Sequence, residues 1–320
     1  MPGALDGIRI LDLTRLLPGA VTTQWLAEYG AEVIKIEQPG SGDYARDSYL
    51  ALFEQTNRGK KSVEIDLKKD REVFLKLAAT ADVVIEGFRP GVMDRLGVGY
   101  EALRARNPRL IYVALTGYGS DGPHAMLAGH DVNYLAMSGV LDLNRAADGT
   151  PVIPGVQIAD LAGGSMQAVI AILLAIQDRH RTEAGQKVVV SMTGGLEVLL
   201  PIARAGGSEL LSGKYACYHV YRAAGNSFVA VGALEPKFWA NLCRAVGCEG
   251  LIDLQFAPEQ VAVISVLSQV FKSATAEEWF ERIGEKDCCV TPVRNAAHTP
   301  APKSSLGPAP RLGEHNEEFL

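Results

Sequence analysis

Short apolar runs alternate with amphipathic stretches over the first two thirds of the chain, and the two periods predict strand and helix in turn. Residues 8–13, 32–37, 62–67, 82–86, 110–116 and 188–192 are runs rich in Val, Ile and Leu, the pattern of strands buried on both faces. Between them, residues 18–29, 70–80, 100–106, 160–179 and 196–203 read as helices. This βαβα rhythm predicts a mostly parallel, Rossmann-like doubly wound α/β sheet covered by helices. Ligands on such sheets sit at the carboxyl ends of the strands, so chemistry is expected in the loops after Glu37, Leu67, Glu86 and Thr116.

The pattern then changes. Residues 205–213 are rich in glycine and serine, and 205–217 is expected to be a linker. Beyond it, 218–221 and 227–232 read as strands joined by a turn at Gly225-Asn226, and 237–246, 261–272 and 276–283 as helices. The expected organisation is a large domain over 1–204, a smaller α+β domain over 218–292, and a segment over 293–320 that returns to the large domain. Residues 300–313, rich in proline, are expected to be extended.

Composition narrows the function classes. The 320 residues carry a net charge of −6, which favours neither nucleic acid nor an acidic membrane surface as a partner. An anionic ligand would have to be held by local basic residues. The five cysteines form an odd set without a CxxC pair and predict reduced thiols, with Cys288-Cys289 as buried filler. The start shows no secretory or transit pattern, and the apolar run 168–176 is too short to cross a bilayer, so a cytoplasmic protein is expected.

Gly129-His130-Asp131 places an imidazole just after a loop, Asp160 opens a helix, and Glu235 follows a strand. A neutral base and a matching acid are what proton abstraction next to a carbonyl requires. Each residue also has a plain structural reading. His130 would serve as a core histidine, and Asp131, Asp160 and Glu235 as helix caps. The loop Gly117-Tyr118-Gly119-Ser120-Asp121-Gly122 matches GxGxxG, with Asp142 downstream. Pro123 follows at once and the strand is a late one, so a glycine turn that positions His130 is the better account than NAD(P) binding. Asn57-Arg58-Gly59-Lys60-Lys61 and Gly87-Phe88-Arg89-Pro90-Gly91, with Arg95 beyond, read as two basic loops at one sheet edge, suited to a phosphorylated ligand.

Together these segments resemble the class III CoA transferase family, and its α-methylacyl-CoA racemase branch in particular. The resemblance runs from Leu5-Asp6-Gly7 through Asn57-Arg58-Gly59-Lys60, Glu86-Gly87-Phe88-Arg89-Pro90-Gly91 and the His130 segment to Gly232-Ala233-Leu234-Glu235-Pro236 and Arg311-Leu312-Gly313. It implies that His130 and Asp160 are a two-base pair on opposite faces of the α-carbon, with Glu235 orienting His130. It also implies that CoA is held by Ile65, Asp66, Leu67, Lys68, Gly87, Phe88, Arg89, Arg95, Gly129, Asp131, Asn133 and Tyr134. The implied reaction interconverts (R)- and (S)-2-methylacyl-CoA thioesters through an enolate, in an interlocked homodimer. No metal or redox cofactor is expected, CoA being part of the substrate. Alternatives are a CoA transferase with Asp160 as nucleophile and a silent acyl-CoA-binding protein. Gln38 stands where some racemases carry arginine, and the link from Val293 to Pro308 is shorter than in relatives.

Overall fold

The structure, a computed structural model, describes residues 3–146, 148–300 and 304–320. It divides into two compact units, one built from 3–142, 152–199 and 304–320, the other from 143–146, 148–151 and 200–300. In the first unit the order is β1 (Arg9–Leu13), α1 (Leu17–Glu28), β2 (Glu32–Glu37), α2 (Ala45–Ser48), α3 (Leu50–Thr56), β3 (Lys61–Glu64), α4 (Arg71–Ala78) and β4 (Val83–Glu86). α5 (Val92–Arg95), α6 (Tyr100–Arg106), β5 (Ile111–Thr116), α7 (Asp131–Ser138), a π-helical stretch (Ala159–Met166) that runs into α8 (Gln167–Thr182), and β6 (Lys187–Ser191) follow.

The six strands are all parallel, in the order β3-β2-β1-β4-β5-β6. This is the expected doubly wound sheet, with its switch of direction between β1 and β4. Alternate strand residues feed two cores. Ile10, Val33, Ile85 and Val113 pack with Leu26, Leu135 and Ile172, while Leu11, Ile34, Val84 and Tyr112 pack with Phe74 and Leu103. Burial on both faces is why the strands read as continuous apolar runs.

Several expectations are corrected. The strand expected over 62–67 ends at Glu64, because Asp66 forms a turn that accepts the N–H groups of Lys68 and Asp70. The helix expected over 160–179 starts as the π-helical stretch and is continuous with α8 to Thr182. By length and composition alone Ala159–Thr182 would cross a bilayer, which the apolar run 168–176 did not suggest. Ala168, Ile172, Ala175 and Ile176 nevertheless lie in the core, and the half of the helix near its end is tied down by an ion pair from buried Arg179 to Asp82. The segment over 196–203 is a 3₁₀ turn followed by α9 (Pro201–Arg204).

The second unit holds an antiparallel sheet, β7 (Tyr218–Arg222), β8 (Phe228–Gly232) and β9 (Val290–Pro292), with α10 (Pro236–Ala245), α11 (Gln260–Phe271) and α12 (Ala276–Ile283). β9 was not anticipated. The core here gathers Tyr221, Val229, Trp239, Leu242, Phe271 and Trp279, with Ala216 and Cys217 of the expected linker buried in it. Cys288 is buried as expected of filler, whereas Cys289 is exposed.

The extended tail expected over 300–313 is free of regular structure where it is described, and 301–303 lie outside the described residues. Residues 304–320 run along β3 and end in α13 (Asn316–Phe319). Pro308 O accepts the N–H of Gly59 at 3.1 Å, His315 N donates to Ser62 O at 3.0 Å, and Asn316 Oδ1 accepts the N–H of Glu64 at 2.9 Å. The outer edge of the sheet is thereby paired.

Candidate active site

Three adjoining cavities lie around the carboxyl ends of the strands in the first unit. One of about 280 Å³ is walled by Leu13, Arg15, Gln38, Ile65, Asp66, Leu67, Lys68 and Phe88. A second, of about 230 Å³, is walled by Gly87, Phe88, Arg89, Thr116, Gly117, Gly129 and Tyr134. The third, of about 510 Å³, is lined by Arg15, Leu17, Pro18, Tyr49, Gly129, His130, Tyr134, Gln157, Asp160 and Met192. His130 and Asp160, thirty positions apart in sequence, thus face one space.

Local structure explains how they meet. His130 is the N-cap of α7, and the side chain of Asn133 accepts its N–H at 3.0 Å. Asp131 is the first residue of the helix, and its carboxylate accepts the N–H of Asp160 at 2.9 Å. Asp131, expected to touch CoA, therefore fixes the backbone of the catalytic candidate. Asp160 sits in the π-helical stretch, a rare geometry that is frequent at functional sites. The small residues after it permit close packing. A Cβ on Gly163 would lie 2.2 Å from Met192 O, and Ser165 Oγ donates to Pro18 O at 2.7 Å. Burial, and next the neighbouring Asp131 carboxylate, push the Asp160 carboxyl up to about 6, while His130 draws it back. A carboxyl poised there can exist as acid or base near neutrality.

The glycine loop has a different use from a dinucleotide fingerprint. Cβ atoms on Gly117 and Gly129 would meet the Tyr134 ring at 2.5 and 2.7 Å, and Tyr134 Oη donates to Gly129 O at 2.6 Å. The glycines make room for the ring that holds the loop before His130, and no helix opens at Gly122, since the next one begins only at Asp131.

The two basic loops are not at one edge. Asn57–Lys61 leads into β3 at its amino end, whereas Gly87–Arg89 leaves β4 at its carboxyl end, and in a parallel sheet those are opposite edges. Lys60 is fully buried and donates to Asp12 Oδ2, Ala20 O and Asn57 Oδ1 at 3.3, 2.9 and 2.8 Å. Lys61 pairs with Glu32 and Glu318, and Arg58 donates to Leu306 O. These cations hold the fold together. Burial alone would raise Asp12, but Lys35 and Lys60 outweigh it and hold its carboxyl at about 2.

Arg95 is exposed on α5, and Asn133 is occupied as a cap; neither lines the three cavities. Glu235 belongs to the second unit, at the N-cap of α10, where its charge acts on the Cys289 thiol. Two further residues escaped the sequence reading. Arg15 lines two of the cavities. Glu86 accepts Phe88 N–H at 2.7 Å and Tyr112 Oη–H at 3.1 Å, and burial pushes it up to about 7. Both follow from the carboxyl ends of β1 and β4, the two strands that flank the switch point.

An α/β enzyme with its reactive groups at the carboxyl edge of a doubly wound sheet is the class these features define. The family model of CoA-transferase family III matches residues 5–305, and the chain belongs to this family. It is similar to the alpha-methylacyl-CoA racemase of Homo sapiens, 34% identical over 362 residues that cover 99% of this chain and 92% of the relative. The acetyl-CoA:oxalate CoA-transferase of Acetobacter aceti is 35% identical, covering 92% of this chain and 82% of the relative. Among solved structures, Rv3272 from M. tuberculosis aligns with a TM-score of 0.84 at 32% identity over 99% of both chains.

Proposed function

We propose that the chain interconverts the two epimers of 2-methylacyl-CoA thioesters. The observation that carries this reading is the lining of one cavity by His130 and by Asp160 with its carboxyl near 6. One group removes the α-proton to leave a planar enolate, and the other returns a proton to the opposite face. In one direction His130 starts neutral and Asp160 protonated; in the reverse direction the states exchange. The family resemblance gives Glu235 the role of orienting His130. The cavities with Ile65–Lys68 and Gly87–Arg89 take the CoA part of the substrate, and the scheme uses no other cofactor. Similarity to racemases over 99% of the chain supports the reading. A second copy of the chain completes the assembly, covering apolar side chains such as Ile170, Leu173 and Leu174 that α8 exposes.

The transferase relatives favour a second reading, in which Asp160 attacks the thioester to form a mixed anhydride with release of CoA thiolate, which then forms a thioester with Asp160 and frees the donor acid. Incubation with (S)-2-methylacyl-CoA in D₂O separates the two. Deuterium at C2 with approach to equal amounts of both epimers is expected, and His130→Ala should lower the exchange by about 10²–10⁴. Absence of exchange in the unaltered protein, with CoA passing to a free acid, would establish transfer instead. Sedimentation at several concentrations tests the dimer.

A further inference from the structure

Arg15 stands at the carboxyl end of β1, beside the switch point, and is the residue shared by the cavity that holds Asp66–Lys68 and the cavity that holds His130 and Asp160. Its guanidinium is set between two rings, 4.8 Å from the centroid of Tyr44 and 5.7 Å from that of Phe88. Nη1 donates to Tyr44 Oη at 2.6 Å. Among the described residues, no carboxylate pairs with it and this is its one side-chain hydrogen bond. A guanidinium has five donors, so most of the fork stays available on the cavity side.

The backbone on either side is clamped. Lys35 Nζ donates to Thr14 O at 2.9 Å, the N–H of Leu16 donates to Asp43 Oδ1 at 3.2 Å, and Lys35 and Asp43 form a buried ion pair at 2.9 Å. Leu16 pays for this with φ 58° and ψ −145°, a conformation costly for a branched side chain. A buried pair therefore holds a strained turn that presents a half-buried, stacked and preorganised arginine.

Nearby Lys35, Arg46 and Lys60 each meet a carboxylate, and leaving Arg15 without one at the junction of two cavities makes sense if a ligand supplies the anion. We propose that Arg15 is the seat for an anionic oxygen of the thioester substrate, where the CoA cavity meets the reaction cavity. The inference rests on the acyl-CoA reading of the site. Two parts of such a substrate offer that chemistry: the phosphates of CoA, or a carboxylate at the far end of the acyl group.

The test is calorimetric binding to the full-length protein, independent of turnover. Free CoA, a thioester with a neutral acyl chain and one with a terminal carboxylate are titrated against the unaltered protein, Arg15→Gln and Arg15→Lys. Loss of a charge-assisted bond is expected to weaken binding by about ten- to a hundredfold in Arg15→Gln. Arg15→Lys should restore only part, because it lacks the planar fork. Equal weakening of all three probes assigns the phosphates; weakening confined to the carboxylate-bearing thioester assigns the acyl group. Unchanged affinities for every probe, in a variant with an unaltered unfolding midpoint, would overturn the proposal. Should Arg15→Gln fold poorly, Arg15→Lys carries the same test, and its affinity for the same probes must fall below that of the unaltered protein. A protein that binds these probes but exchanges no α-proton refutes the racemase reading while leaving Arg15 to be judged by the titrations.

Discussion

Asp160 owes its electrostatics to two neighbours with different effects. Burial and the Asp131 carboxylate raise its carboxyl from 3.8 to about 6, and His130 opposes them. A carboxyl raised on folding favours the folded state most below 3.8, and that contribution is lost as pH rises through 6. Activity has its own sign. Exchange needs one proton shared between His130 and Asp160, so kcat/KM falls on the acid side when a second proton lands on the pair. Asp131→Asn removes the charge but keeps an oxygen to accept the Asp160 N–H. The acid limb is expected to move to lower pH in this variant, measured by C2 deuterium uptake across pH. An unmoved limb would mean that burial alone sets the carboxyl.

The π-helical stretch is the element on which the site depends, and small residues allow it. Alanine in place of glycine inside a helix ordinarily stabilises by about 0.5–1 kcal/mol. At Gly163 the sign should reverse, because the new Cβ would meet a backbone oxygen, Met192 O, at 2.2 Å. Gly163→Ala is expected to destabilise by about 1–3 kcal/mol in denaturant titration, through overpacking. Ser165→Ala removes the bonds from Oγ to Pro18 O at 2.7 Å and to Asp160 O at 3.2 Å and should cost about 0.5–1.5 kcal/mol for each bond lost. A Gly163→Ala protein as stable as the unaltered one would show that close approach is not what the glycine provides. Sequence periodicity was a good guide to elements of this size. The strand over Glu32–Glu37 and the helices over Tyr100–Arg106 and Ala276–Ile283 coincide with expectation. The last is bounded by a reciprocal cap, in which Thr275 Oγ1 accepts Glu278 N–H and Glu278 accepts Thr275 N–H. The helices over Ala45–Ser48 and Leu50–Thr56 were missed because one or two turns are too short to show a period.

At the scale of the molecule, the first unit is closed by chain that comes from its far end. Residues 304–320 satisfy the outer edge of β3 through at least three backbone groups, those of Gly59, Ser62 and Glu64. Deleting them should cost about 3 kcal/mol at roughly 1 kcal/mol per bond. The unfolding midpoint should then drop by about 6–12 °C. The bared edge should also raise light scattering on heating. A midpoint unchanged by the deletion would show that the edge is satisfied by other means. The basic segment near the same edge illustrates what sequence alone withholds: Asn57–Lys61 looked like a phosphate loop, yet Lys60 lies fully buried beside Asp12.

Local chemistry was enough to determine the longer strands and helices of the first unit, their parallel doubly wound arrangement, and the family, because periodicity, turns and motifs are written in neighbouring residues. His130 and Asp160 were legible as a base and an acid for the same reason. Their sharing of one cavity, the bond from the Asp160 N–H to Asp131, the π-helical turn and the place of Arg15 where two cavities meet were decided only in three dimensions. Each depends on which distant atoms burial brings together. A charge reads alike in sequence whether it meets water, a buried carboxylate or an open cavity, and only packing assigns its partner.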